Sequence, residues 1–178
     1  MAGGRGSRMG GVAKPLMRVC GEPMISRVVA AAIELCGDVV VVYSDASPGV
    51  GEICRSTLAV MGRVSCVEGT GSYVEDLNLG LSLAGLPALV LPADTPLIDS
   101  SLLEKFVREA SRLEPSIVSL ARGDGAEVGI SLFKKPSGPW GYVRMTDCGV
   151  MDVDTWEDLR RAEEACRRGC TEAGLPRE

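Results

Sequence analysis

Apolar runs of about six residues alternate along the chain with longer stretches in which apolar positions recur at helical spacing, the pattern of parallel strands joined by crossover helices. DVVVVYS (38–44), RVSCVEG (63–69), ALVLPAD (88–94) and SIVSLAR (116–122) are rich in Val, Ile and Leu, as strands buried on both faces are. EVGISLFKK (127–135) predicts one more strand. PMISRVVAAAIELCG (23–37) opens with proline and stops at glycine, both helix punctuation, and residues 48–61 and 73–85 predict further helices. SLLEKFVREASRL (101–113) opens with the Ser-x-x-Glu of a capping box, as does SYVE (72–75). DTWEDLRRAEEACRRG (154–169) predicts a last helix, with Asp154 as cap, Glu157 completing its box and arginines in the final turn to match the dipole. KPSGPWGYVRMTDCGV (135–150), with three glycines and two prolines, predicts a loop, and residues 170–178 are expected to fray. The expectation is a single α/β domain over 1–178, a three-layer α/β/α sandwich with a mostly parallel, Rossmann-like sheet.

Composition narrows the chemistry. The 178 residues are 46% hydrophobic, and no apolar run approaches the ~20 residues a bilayer span requires, so a cytoplasmic protein is expected. Seven cysteines at 20, 36, 54, 66, 148, 166 and 170 contain no CxxC pair and no regular framework; most are expected to be small buried apolar residues. The chain has no histidine, which removes Ser-His-Asp and Cys-His schemes and imidazole-based zinc sites. Catalysis must run on carboxylates, lysine, arginine, backbone amides and hard metal ions. The net charge of −5 argues against a nucleic-acid surface. In the first 27 residues, however, Arg5, Arg8, Lys14, Arg18 and Arg27 face Glu22 alone.

That basic patch coincides with GGRGSRMGGVAKP (3–15), which packs five glycines into a dozen positions. Glycine costs the most conformational entropy on folding, so such a cluster points to backbone that takes positive φ or approaches a ligand closely. Lys14 stands three residues beyond Gly11, so the run is not a GxxxxGK[ST] loop, and no GxGxxG occurs. Its amides could still cradle phosphate oxygens, with Arg8 as a forked donor and Lys14 as a point charge.

The opening MAGGRGSRMGGVAKPLMRVCGEPMI resembles the signature of the MobA-like NTP transferase superfamily. The resemblance implies that Gly3, Gly4, Gly6, Arg8 and Lys14 hold NTP phosphates, with Arg8 and Lys14 catalytic. GTGSYVEDLN (69–78) is similar to a run in archaeal cobinamide-phosphate guanylyltransferases, which places Thr70, Gly71, Glu75 and Asp76 at the nucleotide. The implied reaction moves GMP from GTP to adenosylcobinamide phosphate, a corrinoid, and releases pyrophosphate in cobalamin synthesis. Guanine's Watson–Crick edge offers two adjacent N–H donors that Glu68, Glu75 or Asp76 could accept. Equally, Ser72 and Glu75 could cap a helix and Asp76 serve its dipole.

In LPADTPLID (91–99), Asp94 stands where a buried strand empties into a loop, the edge at which α/β folds bind ligands. The resemblance assigns Asp94 to Mg²⁺, and VMDVDTWEDL (150–159) suggests Asp152 as a second metal contact, since Asp152 has no capping role. A phosphate monoester acceptor, with a second pKa near ~6, is already a dianion and needs no protein base, which suits a chain without histidine. Trp140 and Tyr142 are candidate stacking residues for the corrinoid. A molybdenum-cofactor guanylyl- or cytidylyltransferase and a non-catalytic nucleotide-binding module remain open. Superfamily members carry a short strand before the glycine loop, where this sequence has only Met1 and Ala2. The natural start is therefore expected upstream, or the amino end is anchored in another way.

Overall fold

The structure, a computed structural model, describes residues 1–2, 13–45, 47 and 49–169. A short helical turn at Lys14–Leu16 leads into a two-stranded hairpin, Arg18–Val19 (β1) and Glu22–Pro23 (β2), and then helix Met24–Cys36 (α1). Strand Val39–Tyr43 (β3) runs parallel to Val64–Glu68 (β4), and residues 50–61 between them form the short α2 (Val50–Ile53) and two further helical turns. Helix Tyr73–Ala84 (α3) precedes strand Ala88–Val90 (β5), and Ser100–Arg112 (α4) precedes Ile117–Arg122 (β6) and Glu127–Phe133 (β7). Trp140–Met145 (β8) and Trp156–Arg168 (α5) complete the order.

The α/β class stands, but the sheet differs from the expected mostly parallel one. β3 and β4 form one small sheet; β5, β7, β6 and β8 form another in that spatial order. β7 runs antiparallel to both β5 and β6, while β6 and β8 are parallel. The reason lies in chain length: β6 and β7 are joined by the tight turn at 123–126, too short for the crossover a parallel pair needs.

The 135–150 segment is a correction. Six of its residues are strand β8, alternating between exposed Trp140, Tyr142 and Arg144 and buried Val143 and Met145. As an edge strand it tolerates the neighbouring glycine and proline that read as a loop. Capping shifted too. Asp99, not Ser101, caps α4 through the Leu102 amide at 2.8 Å. Thr155, not Asp154, caps α5, with Asp158 closing its capping box. The cysteines correct a second expectation: Cys20–Cys166 and Cys54–Cys66 are disulfides, and Cys36 is a free, exposed thiol. Their sequence separations of 146 and 12 form no motif, so spacing alone did not reveal them. Among the described residues no helix is long and apolar enough to cross a membrane.

The main core packs α4 against the second sheet, with Phe106, Leu103, Val118, Leu120 and Ile130 fully buried. A smaller cluster (Val19, Met24, Leu97, Val153 and Ala162) seats α5 on the β1–β2 hairpin. Met1 and Ala2 join the two sheets. The Ala2 amide donates to Val42 O at 2.9 Å, the Met1 amine to Leu91 O at 2.8 Å, and the Ala93 amide to Met1 O at 3.0 Å. Two residues thus do the hydrogen bonding of a parallel strand between β3 and β5. Alongside them, Val39–Val41 and Ala88–Leu91 line an apolar cavity of about 290 Å³ with side chains of α1 and α3.

The Met1 amine is buried, and burial pulls its pKa from 8.0 to about 6 despite the opposing charge of Asp94. Between those pH values the unfolded chain holds a proton that the folded chain refuses, so stability rises with pH. For protein whose first residue is Met1, unfolding free energy should increase by about 2 kcal/mol from pH 6 to pH 8, measured by urea denaturation. Acetylating the amine keeps its N–H donor but abolishes the proton, and should flatten this slope.

Candidate active site

Lys14, Asp94, Asp152, Asp154 and the residues after β4 meet at one edge of the sheets. That edge collects the carboxyl ends of β3, β4, β5 and β6 and the entrance to α5, the position where open α/β folds place ligands. Lys14 stands at its centre. The 3₁₀ turn Lys14–Leu16, started by proline at its second position and closed by the Met17 amide on Lys14 O at 2.9 Å, fixes the lysine backbone. Its Nζ donates to Asp94 Oδ2 at 3.1 Å, Val153 O at 3.1 Å and Asp154 Oδ1 at 2.7 Å. Those three bonds account for all three ammonium protons.

Each acceptor is itself held. The Val153 amide donates to Asp94 O at 2.8 Å, so the loop after β5 and the entrance to α5 are tied through backbone. Thr95, fully buried, donates its hydroxyl to Pro92 O at 3.1 Å, and Arg27 Nε donates to Pro96 O at 2.7 Å. The Lys14 side chain is only 14% exposed. Burial works against its charge, but the Asp154 and Asp94 carboxylates outweigh it and hold the ammonium above its ordinary pKa. The lysine is therefore permanently cationic.

Asp152 sits at the rim of this group, 3.7 Å from Arg122 Nη1. Burial first, then the charges of Asp154 and Asp94, push its pKa up, while its own backbone amide and Arg122 pull it down. Asp154 is the residue that sequence reasoning misassigned. Read as a helix cap, it is released by Thr155 and spends its carboxylate on Lys14. The signal was present one residue along, since Thr155-x-x-Asp158 is itself a capping box.

The loop after β4 uses the residues expected at a nucleobase to order itself. Asp76, 3% exposed, accepts from the Thr70 amide at 2.7 Å through Oδ1 and from the Gly71 amide at 3.2 Å through Oδ2. Exposed Glu75 accepts from the Thr70 hydroxyl at 2.5 Å. Gly69 must be glycine here, because a Cβ would stand 2.2 Å from Asp76 Oδ1. Glu68 ends β4, paired with Tyr43. The structure thus brings Lys14, Asp94, Asp152 and Asp154 together, with Thr70 and Gly71 on the loop after β4 and Glu75 and Asp76 in the first turn of α3. Gly3, Gly4, Gly6 and Arg8 lie outside the described residues. Trp140 and Tyr142 pair with Ile117 and Ser119, whereas Arg122 pairs with Met145. At ~3.3 Å per residue, Trp140 therefore lies roughly 16 Å from the candidate edge.

Among the described residues, no three acidic or thiol groups converge as a complete metal cage. Asp94 and Asp152 still fit a magnesium-type ion. Such an ion prefers hard oxygen donors, keeps several waters, and commonly takes one or two carboxylates plus substrate phosphates.

An α/β domain with a lysine fixed between two aspartates at the carboxyl edge, behind a glycine-rich segment, has the layout of a nucleotidyltransferase. The MobA-like NTP transferase domain matches residues 1–168, and the chain belongs to that family. An adenosylcobinamide-phosphate guanylyltransferase of Methanocaldococcus jannaschii is 31% identical over 109 residues, which make up 60% of this chain and 56% of that protein. The chain thus spans about half the length of this relative. Among solved structures, molybdopterin-guanine dinucleotide biosynthesis protein A from Archaeoglobus fulgidus covers 94% of the chain, which covers 96% of it, at TM-score 0.64 and 16% identity. A manganese complex of the Mycobacterium tuberculosis protein Rv0371c covers 92%, with 95% of its own chain matched, at TM-score 0.63 and 17% identity. These two share the fold.

If Asp76 is the residue that shapes the β4–α3 loop, Asp76→Ala removes the acceptor of the Thr70 and Gly71 amides and should cost about 1–3 kcal/mol. Glu75→Ala should cost under ~1 kcal/mol. Urea unfolding of both variants checks the difference.

Proposed function

We propose that the chain is a nucleotidyltransferase that moves GMP from GTP to adenosylcobinamide phosphate and releases pyrophosphate, a step of cobalamin synthesis. The observation that carries this reading is Lys14: a fixed, permanently charged ammonium between Asp94 and Asp154, directly after the glycine-rich segment. Guanine and the corrinoid acceptor are supported by the guanylyltransferase relative and by the GTGSYVEDLN run at 69–78.

In this reading an oxygen of the acceptor's phosphate attacks the α-phosphorus of GTP. The bond from that phosphorus to the oxygen bridging to the β-phosphate breaks, and the electron pair leaves with pyrophosphate. No proton need move, because the attacking monoester is a dianion and the leaving group is an anion that needs no acid at the cost of its charge being neutralised. Catalysis is then alignment and charge neutralisation. Gly3, Gly4, Gly6 and Arg8 cradle the triphosphate. Lys14 stabilises the charge that builds on the α-phosphate; its Nζ, positioned by Asp94, Asp154 and the Val153 carbonyl, exchanges one of those three bonds for a phosphate oxygen. Thr70, Gly71 and Glu75 face the nucleoside, on a loop shaped by Asp76. Asp94 and Asp152 would hold Mg²⁺, which supplies neutralising charge to the phosphates when bound.

The test is pyrophosphate release with Mg²⁺ and each of the four NTPs, with and without adenosylcobinamide phosphate. Release from GTP that requires the corrinoid is the expected result. Corrinoid-independent release, or release with a pterin phosphate instead, would move the chain to the molybdenum-cofactor branch. No release from any NTP by folded protein would favour a nucleotide-binding module.

A further inference from the structure

Arg122 closes β6 at the same edge as Asp94 and is the described cation within ion-pair distance of Asp152. It does not belong to the Lys14 group, whose partners are Asp94 and Asp154. Its guanidinium is pre-set. Nε lies 3.4 Å from Asp124 Oδ1 and Nη2 3.2 Å from Asp124 Oδ2. Asp124 Oδ1 also accepts from the Ala126 amide at 2.9 Å, inside a turn closed by Arg122 N on Ala126 O at 2.8 Å and Gly125 N on Arg122 O at 2.9 Å.

A guanidinium has five N–H donors, and Asp124 takes two. Asp152, at 3.7 Å, is an ion partner but stands too far for a hydrogen bond. Three donors are therefore unspent among the described residues, on a side chain that is 39% exposed and beside the carboxylates of the candidate site. A surface arginine clipped to a nearby aspartate gains little stability from it. What the clip does supply is a fork whose orientation costs little entropy when an anion arrives. The anion that such a fork suits best is one with two or more oxygens in a plane or on a tetrahedron, held bidentately.

A transferase of this kind has to hold two phosphate groups at once, and the basic amino-terminal segment with Lys14 supplies cations for one of them. Arg122 comes from a different strand and approaches Asp152 instead of Lys14's carboxylates. Resting on the reading of the chain as a transferase to a phosphate monoester, we infer that Arg122, aimed by Asp124, is the anchor for the acceptor's phosphate beside Asp152.

Two measurements on Arg122→Gln, Arg122→Lys and Asp124→Asn test this. The first is calorimetric titration of the full chain with inorganic phosphate, without nucleotide or metal. The second is steady-state pyrophosphate release with varied acceptor and varied GTP. Arg122→Gln should weaken phosphate binding at least tenfold and raise KM for the acceptor by a similar factor, leaving KM for GTP within about twofold. Arg122→Lys should recover only part of this, because an ammonium lacks the fork. Asp124→Asn should show a smaller effect of the same kind. Unchanged phosphate affinity and acceptor KM in Arg122→Gln, in an enzyme with normal GTP turnover, overturns the inference and leaves the reaction standing. Arg122-dependent phosphate binding in a protein that transfers to no corrinoid would keep the anion anchor and overturn the acceptor.

Discussion

One ammonium ties together three parts of the chain that are far apart in sequence. Lys14 reaches Asp94, 80 residues away, and Asp154, 140 residues away, and takes the Val153 carbonyl as its third partner. Burial alone would lower the pKa of so little-exposed a lysine; here the two carboxylates outweigh burial and fix the charge. The same bonds pin the amino-terminal turn, the loop after β5 and the entrance to α5 to one another. Position and charge are thus secured by one set of contacts. Removing Lys14 would leave two carboxylates facing each other without their shared cation.

The scaffold beneath that cluster joins its two sheets through hydrogen bonds of Met1 and Ala2. β3 and β5 are linked through the backbone of two residues, Met1 and Ala2, beside an apolar cavity. The two residues that precede the glycine-rich segment are thus held by backbone on both sides. A second brace comes from the β1–β2 hairpin. The Cys20–Cys166 bridge and the Cys20 amide on Glu163 Oε1 at 3.1 Å fasten it to α5, whose entrance carries Asp154. Backbone pairing on one side and a covalent tie on the other frame the lysine.

Much of this was legible in the sequence, for identifiable reasons. Strand β3 is a run of four valines, β6 is mostly apolar and buried, and α1 and α4 have clear helical spacing, so local pattern and tertiary fate agree. Lys14 and Asp94 stood out because both lie where a glycine-rich segment or a buried strand gives way to loop. β8 was obscured by the flanking prolines and glycines, which an edge strand accepts but which read as a turn. The direction of β7 depended on the length of one turn, and the disulfides on spatial proximity that spacing does not encode. Asp154 was hidden by its position one residue before the true cap. Asp76 could be read two ways from sequence; in the folded chain it spends both oxygens on backbone amides of its own loop.

The account rests on Lys14 acting on the reacting phosphate instead of merely holding nucleotide. The direct measurement is Lys14→Ala compared with wild type in two readouts: equilibrium binding of GTP, and kcat for pyrophosphate release with acceptor at saturation. A kcat reduced 100-fold or more with GTP affinity changed only a few-fold is the predicted result, the mark of a contact made mainly in the transition state. Equal losses in both readouts would contradict it, and would make the lysine a ground-state binding group.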